Sequence, residues 1–183
     1  MRILGIDPGT RFTGLGVVDK VGNTLKYIVS DTIVTDRERN LEEKLIRIHQ
    51  GLGAVLTAYQ PHAVAIERIF HSVNPHSSLI LGHARGVVLL TAKLGRLAIK
   101  EFAPNEVKSA VVGVGRASKE QVAGMVRILL NLDRNRKFRE DESDALALAI
   151  CFAHTIDFRK LSQSVIEKND RLAEGSCSSY RRK

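Results

Sequence analysis

The first seventeen residues restrict the possible folds more than any other part of the chain. Ile3-Leu4-Gly5-Ile6 is an apolar run that stops at Asp7 and is followed at once by Pro8-Gly9-Thr10. A short apolar run closed by Pro and Gly reads as a buried strand. Gly14-Leu15-Gly16-Val17-Val18 begins a second strand, and the turn chemistry between the two predicts a hairpin. The glycines let a backbone or a ligand come close. Asp7 then ends a central strand, where a carboxylate is costly unless something positive meets it. It either holds a metal ion or is a turn Asp that hydrogen-bonds its own loop.

The rest of the chain alternates helices and strands. Leu25 to Val34 predicts a third strand, interrupted by Asp31. A helix starts at Asn40, and Leu41, Leu45, Ile48, Leu52, Val55 and Leu56 mark its buried face at helical spacing. After Pro61, Ala63-Val64-Ala65-Ile66 is another buried strand, and it delivers Glu67 at its end. Arg68 to Ser78 is a loop whose Phe70 is either a contact residue or an anchor in the core. Ser77 to Leu94 is a helix with small residues at Gly82, Ala84 and Gly86. These allow a second helix to approach closely, from the same chain or from another copy. Leu97 to Phe102 is a fifth strand, and Pro104 opens a short helix carrying Lys108.

Ser118 starts the next helix, with Gln121 at capping-box spacing. Lys119 sits in its first turn, where the helix dipole disfavours a cation, which hints at use. The last helix spans about Asp141 to Phe158, and Asp141 and Asp144, three apart, project from one face of its first turn. The pattern predicts one domain over residues 1–160 and a basic, disordered tail over 161–183.

Charge narrows the function. The formal net charge of +8 points to a polyanionic partner, most simply nucleic acid. No apolar run is long enough to span a bilayer and no signal-peptide pattern opens the chain. Cys151 and Cys177 make neither a disulfide framework nor a metal-ligand spacing, so a reducing cytoplasm is the expected setting. Asp7, Glu67, Asp141 and Asp144 at element ends are hard to explain as stability in so basic a protein. Together they suit hard divalent cations such as Mg²⁺. Two such ions, roughly 3.5–4 Å apart, can activate water and stabilise the leaving oxygen of a phosphodiester.

The chain resembles the RuvC family of Holliday-junction resolvases, within the RNase H-like superfamily. The matching pieces are Gly5-Ile6-Asp7-Pro8-Gly9, Ile66-Glu67-Arg68-Ile69-Phe70, Leu81-Gly82-His83-Ala84-Arg85-Gly86-Val87, Val107-Lys108, Val112 to Lys119 and Asp141-Glu142-Ser143-Asp144-Ala145-Leu146-Ala147, in the family's order. The resemblance implies an α/β fold with a mixed five-stranded sheet flanked by helices. It also implies a homodimer and Mg²⁺-dependent nicking of four-way DNA junctions, with Mn²⁺ substituting and two ions per site. By position, Asp7, Glu67, Asp141 and Asp144 match the family's catalytic metal ligands. Phe70 matches an aromatic that contacts DNA near the junction centre, and Lys108 and Lys119 match basic residues near the scissile phosphate. The helix from Ser77 to Leu94 matches the dimer interface. Family members work with a branch-migration motor complex (RuvA-RuvB).

Competing readings are weaker. An actin-like or sugar-kinase-like phosphotransferase also opens with a strand, an Asp and a Gly-Thr turn. It needs a second phosphate loop in a second lobe, and the chain carries no second copy. A non-catalytic relative is expected to lack an acid, yet all four are present. A ribonuclease H acting on hybrids is the third alternative, and the Phe70 loop and the two lysines favour the junction enzyme over it.

Overall fold

The computed structural model describes residues 1–68, 75–133 and 136–156. The elements in chain order are β1 (Arg2–Asp7), β2 (Phe12–Val21), β3 (Thr24–Val34), α1 (Leu41–Tyr59), β4 (Ala63–Glu67), α2 (Pro75–Leu94), β5 (Ala98–Phe102), α3 (Pro104–Val112), α4 (Lys119–Leu129) and α5 (Glu140–Thr155). Phe70, Cys177 and the tail over 161–183 lie outside the described residues.

The strands form one five-stranded sheet in the order β3-β2-β1-β4-β5. β1, β2 and β3 pair antiparallel as two successive hairpins, while β4 joins β1, and β5 joins β4, in parallel. This is the mixed five-stranded sheet that the sequence predicts.

Side chains alternate across a strand, and that alternation along β1 fixes the direction of everything else. Leu4 and Ile6 point to one face, where Leu15, Val17, Val64 and Ile66 join them under Ile48 and Leu52 of α1 and Val88 and Ala92 of α2. Ile3 points to the other face, with Val18, Ala63, Ala65 and Phe102, under Val107 of α3, Val122 and Val126 of α4 and Leu146 and Ile150 of α5. Gly5 and Asp7 share the parity of Ile3, so Asp7 ends up on the α5 side. The helix stripe predicted from Asn40 onward is the one that packs, and Asn40 is its N-cap, its side chain accepting from the Glu43 amide at 2.9 Å. Cys151 is buried on α5, and burial pushes its thiol up to about 12.

Two expectations are corrected. β3 is not interrupted at Asp31, which pairs with Leu15 inside a continuous strand. β3 is the sheet edge, so Asp31 stays exposed at no desolvation cost, its Oδ1 accepting from the Thr32 amide at 2.7 Å. α5 stops at Thr155 rather than Phe158, because Ile156 turns extended.

Candidate active site

Parallel pairing of β1 with β4 matches Ile6 to Ile66, so Asp7 and Glu67 emerge side by side at neighbouring strand ends. Both have the parity that faces α5. The third acidic group arrives on α5 itself, whose first turn holds Glu140, Asp141 and Glu142, with Asp144 one residue further on. Negative charge there suits the helix dipole.

The helix reaches the strand ends because the sheet beneath it is bare. A Cβ on Gly5 would lie 1.8 Å from the Ala145 carbonyl oxygen, one on Gly14 1.9 Å from the Asp141 carbonyl oxygen, and one on Gly16 2.8 Å from the Leu146 amide nitrogen. Only glycine lets the α5 backbone lie this close. The close approach expected from the sequence is therefore that of a helix, and its result is to bring the acids of α5 to Asp7.

A cleft of about 390 Å³ opens between these elements. Asp7, Glu67 and Asp144 line one side and Lys108 of α3 and Lys119 of α4 the other, with Val107 and Val122 among the apolar walls. Asp141 is not part of the lining. Its carboxylate turns instead toward Arg139, with Nε 3.8 Å from Oδ2. Three residues along a helix are a rotation of about 300°, so the two aspartates share a side of α5 but diverge enough to face different partners.

The acids interact strongly. Burial, then the charges of Asp144, Glu67 and Asp141, push the Asp7 carboxyl up to about 7, with Lys119 opposing. Burial and Asp144 raise Glu67, against Lys119 and Lys108. Asp144 is raised by burial, and by Glu140 and Asp141, again against the two lysines. The two lysines do not offset the negative charge of the cleft. Lys119 itself is raised, first by its hydrogen bond to Glu140 and further by Asp144, whose Oδ2 lies 3.8 Å from Nζ. It is therefore held cationic. Its α4 begins at the capping box the sequence predicts: Ser118 Oγ accepts from the Gln121 amide at 3.3 Å and Gln121 Oε1 from the Ser118 amide at 2.8 Å.

An all-oxygen donor set with uncompensated negative charge fits a hard divalent cation and no soft metal. Among the described residues, no three carboxylates close on one point as a preformed cage. Mg²⁺ is characteristically held by one or two carboxylates, with waters and substrate phosphates completing its shell.

Four supporting residues were given no role by the sequence. Arg85 of α2, its side chain only 11% exposed, donates from Nη1 to the Glu67 carbonyl oxygen at 2.9 Å and pairs through Nη2 with Glu101 at 2.6 Å. Arg68 N–H donates to the Phe102 carbonyl oxygen at 2.7 Å, so the peptide that follows Glu67 is held at both its carbonyl and its N–H. No local pattern signals this. Glu140, which holds Lys119, and Arg139, which meets Asp141, sit beside a residue already singled out, and their alternating charges were the available signal.

Comparison with known proteins places these features in a family. The family model described as crossover junction endodeoxyribonuclease RuvC matches residues 3–152. The RuvC of Syntrophotalea carbinolica is 50% identical over 161 residues, covering 88% of this chain and 99% of that one. Among solved structures, Thermus thermophilus RuvC in complex with a Holliday junction substrate is 34% identical with a TM-score of 0.79, over 84% of this chain and 93% of that one. The yeast mitochondrial Holliday junction resolvase, 13% identical with a TM-score of 0.61 over 83% of this chain and 77% of that one, shares the fold.

Proposed function

The chain belongs to the RuvC family of crossover junction endodeoxyribonucleases, and on that premise we propose that its cleft hydrolyses phosphodiester bonds in four-way DNA junctions, with Asp7, Glu67 and Asp144 in the cleft and Asp141 at its rim as the metal-holding acids. The observation that carries this is the convergence of the three cleft carboxylates, from β1, β4 and α5, opposite Lys108 and Lys119. Asp141 acts from the rim, adding negative charge to Asp7 and Asp144.

Family membership implies divalent-metal dependence. The oxygen donors favour Mg²⁺, with Mn²⁺ able to substitute, and the acids suffice for two ions per site. Held by these acids, such ions would supply the activation of a water and the neutralisation of charge on the leaving oxygen. The protein's own groups do the rest. Lys108 and Lys119 attract the phosphate strand into a pit that would otherwise repel it. Lys119 pairs with Glu140 and lies 3.8 Å from Asp144, which keeps its charge beside the acids of the site. Phe70, three residues after Glu67 in the sequence, would stack on a base opened at the junction.

A homodimer is the second part of the proposal. α2 exposes Leu79, Leu90 and Leu94 at 63%, 57% and 67%. Gly82 and Gly86 have nothing within 4 Å of where a Cβ would stand. With Leu45 and Val87 they line a shallow apolar groove. Ala84 packs in the chain's own core, but Gly82 and Gly86 remain unused by the described residues of the chain itself, which favours a second copy over internal packing at those two positions. A two-fold pair matches a substrate that must be cut in two strands.

The test is a cleavage assay on a synthetic four-way junction, a plain duplex and an RNA–DNA hybrid, with and without Mg²⁺. Paired nicks in the junction, dependent on the metal, are expected. Preferential cutting of the hybrid would overturn the substrate assignment.

A further inference from the structure

Beyond the cleft, arginines are stacked on aromatic rings along the outer edge of the sheet. The Phe12 ring, at the start of β2, has Arg139 over it at 4.2 Å and Arg11 at 5.6 Å. Further along β3, Arg136 lies over Tyr27 at 4.3 Å and Phe138 at 5.2 Å, and its Nη2 donates to the Tyr27 hydroxyl at 2.5 Å. Arg11, Arg136 and Arg139 are all exposed.

These groups share one side. Phe12 has the parity of Gly14, Gly16 and Val18 on β2, and Tyr27 pairs with Val18, so both rings lie on the α5 face. Phe12 pairs with Val34 and Tyr27 with Val18, which places the two clusters six residues apart along β2, about 20 Å at ~3.3 Å per residue. Among the described residues, Asp141 pairs with Arg139, Glu142 accepts from Ser30 Oγ and from the Arg139 amide, and Asp31 has the parity of Leu15 and so faces the opposite side.

A guanidinium stacked on a ring is already ordered, and its free edge presents paired N–H donors that match a phosphate. We propose that Arg11, Arg139 and Arg136 form a phosphate-binding track, leading from the rim of the cleft along β3, that holds the backbone of a junction arm. The track spans roughly six nucleotides at ~3.4 Å per step of one strand. This rests on the junction reading of the cleft, and it adds where an arm runs once it leaves the site.

The test measures junction binding by fluorescence anisotropy in Ca²⁺ at several salt concentrations, for wild type, R11Q/R136Q, Arg136→Lys and R47Q. Each phosphate contact contributes about 0.9 to the slope of log affinity against log salt. R11Q/R136Q should therefore lower the slope by about 1.8 and weaken binding several-fold, while Arg136→Lys keeps the slope. R47Q, on the exposed side of α1, should behave as wild type. Should removing the Tyr27 stack unfold the protein, R11Q alone should still lower the slope by about 0.9. Unchanged slopes in a wild-type protein that binds junctions, or an equal fall in R47Q, overturn the track alone. A wild-type protein that does not bind the junction overturns both the track and the reading it rests on.

Discussion

Asp7 concentrates the conflict that makes the cleft reactive. Burial, and then its acidic neighbours, raise its carboxyl to about 7, far above the ordinary 3.8, so the folded, metal-free protein binds a proton that the unfolded chain releases near pH 4. The contribution of Asp7 to the stability of the metal-free form then falls as pH rises from about 4 to about 7 and levels off above. Asp7→Asn removes the charge, so in EDTA it should melt a few degrees higher than wild type at pH 8, and the difference should shrink toward pH 4. Thermal melts at the two pH values check this; equal melting temperatures at pH 8 would show that Asp7 bears no such load. Added Mn²⁺ should raise the wild-type melting temperature at pH 8 and do so much less in Asp7→Asn. The same variant should bind a four-way junction with near wild-type affinity yet fail to cut it, since the basic contacts survive. Cutting at near wild-type rate would remove Asp7 from the ligand set.

At the scale of elements, the site depends on how close α5 lies to the sheet. Gly14→Ala forces the Asp141 carbonyl away from a Cβ that would stand 1.9 Å from it. Overpacking of this kind typically costs about 1–3 kcal/mol. It also shifts the first turn of α5, so cleavage should fall further than stability alone explains. Denaturant unfolding and cleavage of the same preparation separate the two effects, and a Gly14→Ala protein with wild-type cleavage would show that the spacing is not needed. Much of this was legible in the sequence. Asp7 and Glu67 read as strand ends because apolar runs stopped at them, and the glycines of the first hairpin announced a close approach. What approached was not legible, since Gly14 and Asp141 are far apart in sequence and nothing local encodes their contact. Parallel pairing of β1 with β4 is equally non-local, and it alone makes neighbours of Asp7 and Glu67. The spacing of Asp141 and Asp144 predicted a shared face but not that Arg139 would take Asp141 aside. Asp31 misled because a polar residue breaks a buried strand but not an edge.

For the whole molecule, the sheet separates the two tasks. The α5 face carries the cleft and the arginine track, and the opposite face carries α1 and α2 with the exposed apolar stripe. Two copies joined through α2 would leave both clefts uncovered. Gly86 gives this arrangement a sharp test. A side chain there meets nothing within 4 Å among the described residues of its own chain, and replacing an exposed helical glycine by a better helix former favours the helix by up to ~1 kcal/mol. Gly86→Leu should thus leave a single chain as stable as before, or slightly more so. If α2 packs on its own copy, the same leucine occupies the space the partner's helix needs. Light scattering should then show monomer where wild type is dimeric, and junction cutting should lose its paired character, with single nicks accumulating. Gly53→Ala on α1, where a Cβ also meets nothing, should gain stability and leave the oligomeric state unchanged. A Gly86→Leu protein that remains dimeric and still makes paired cuts would move the subunit interface off this face of α2.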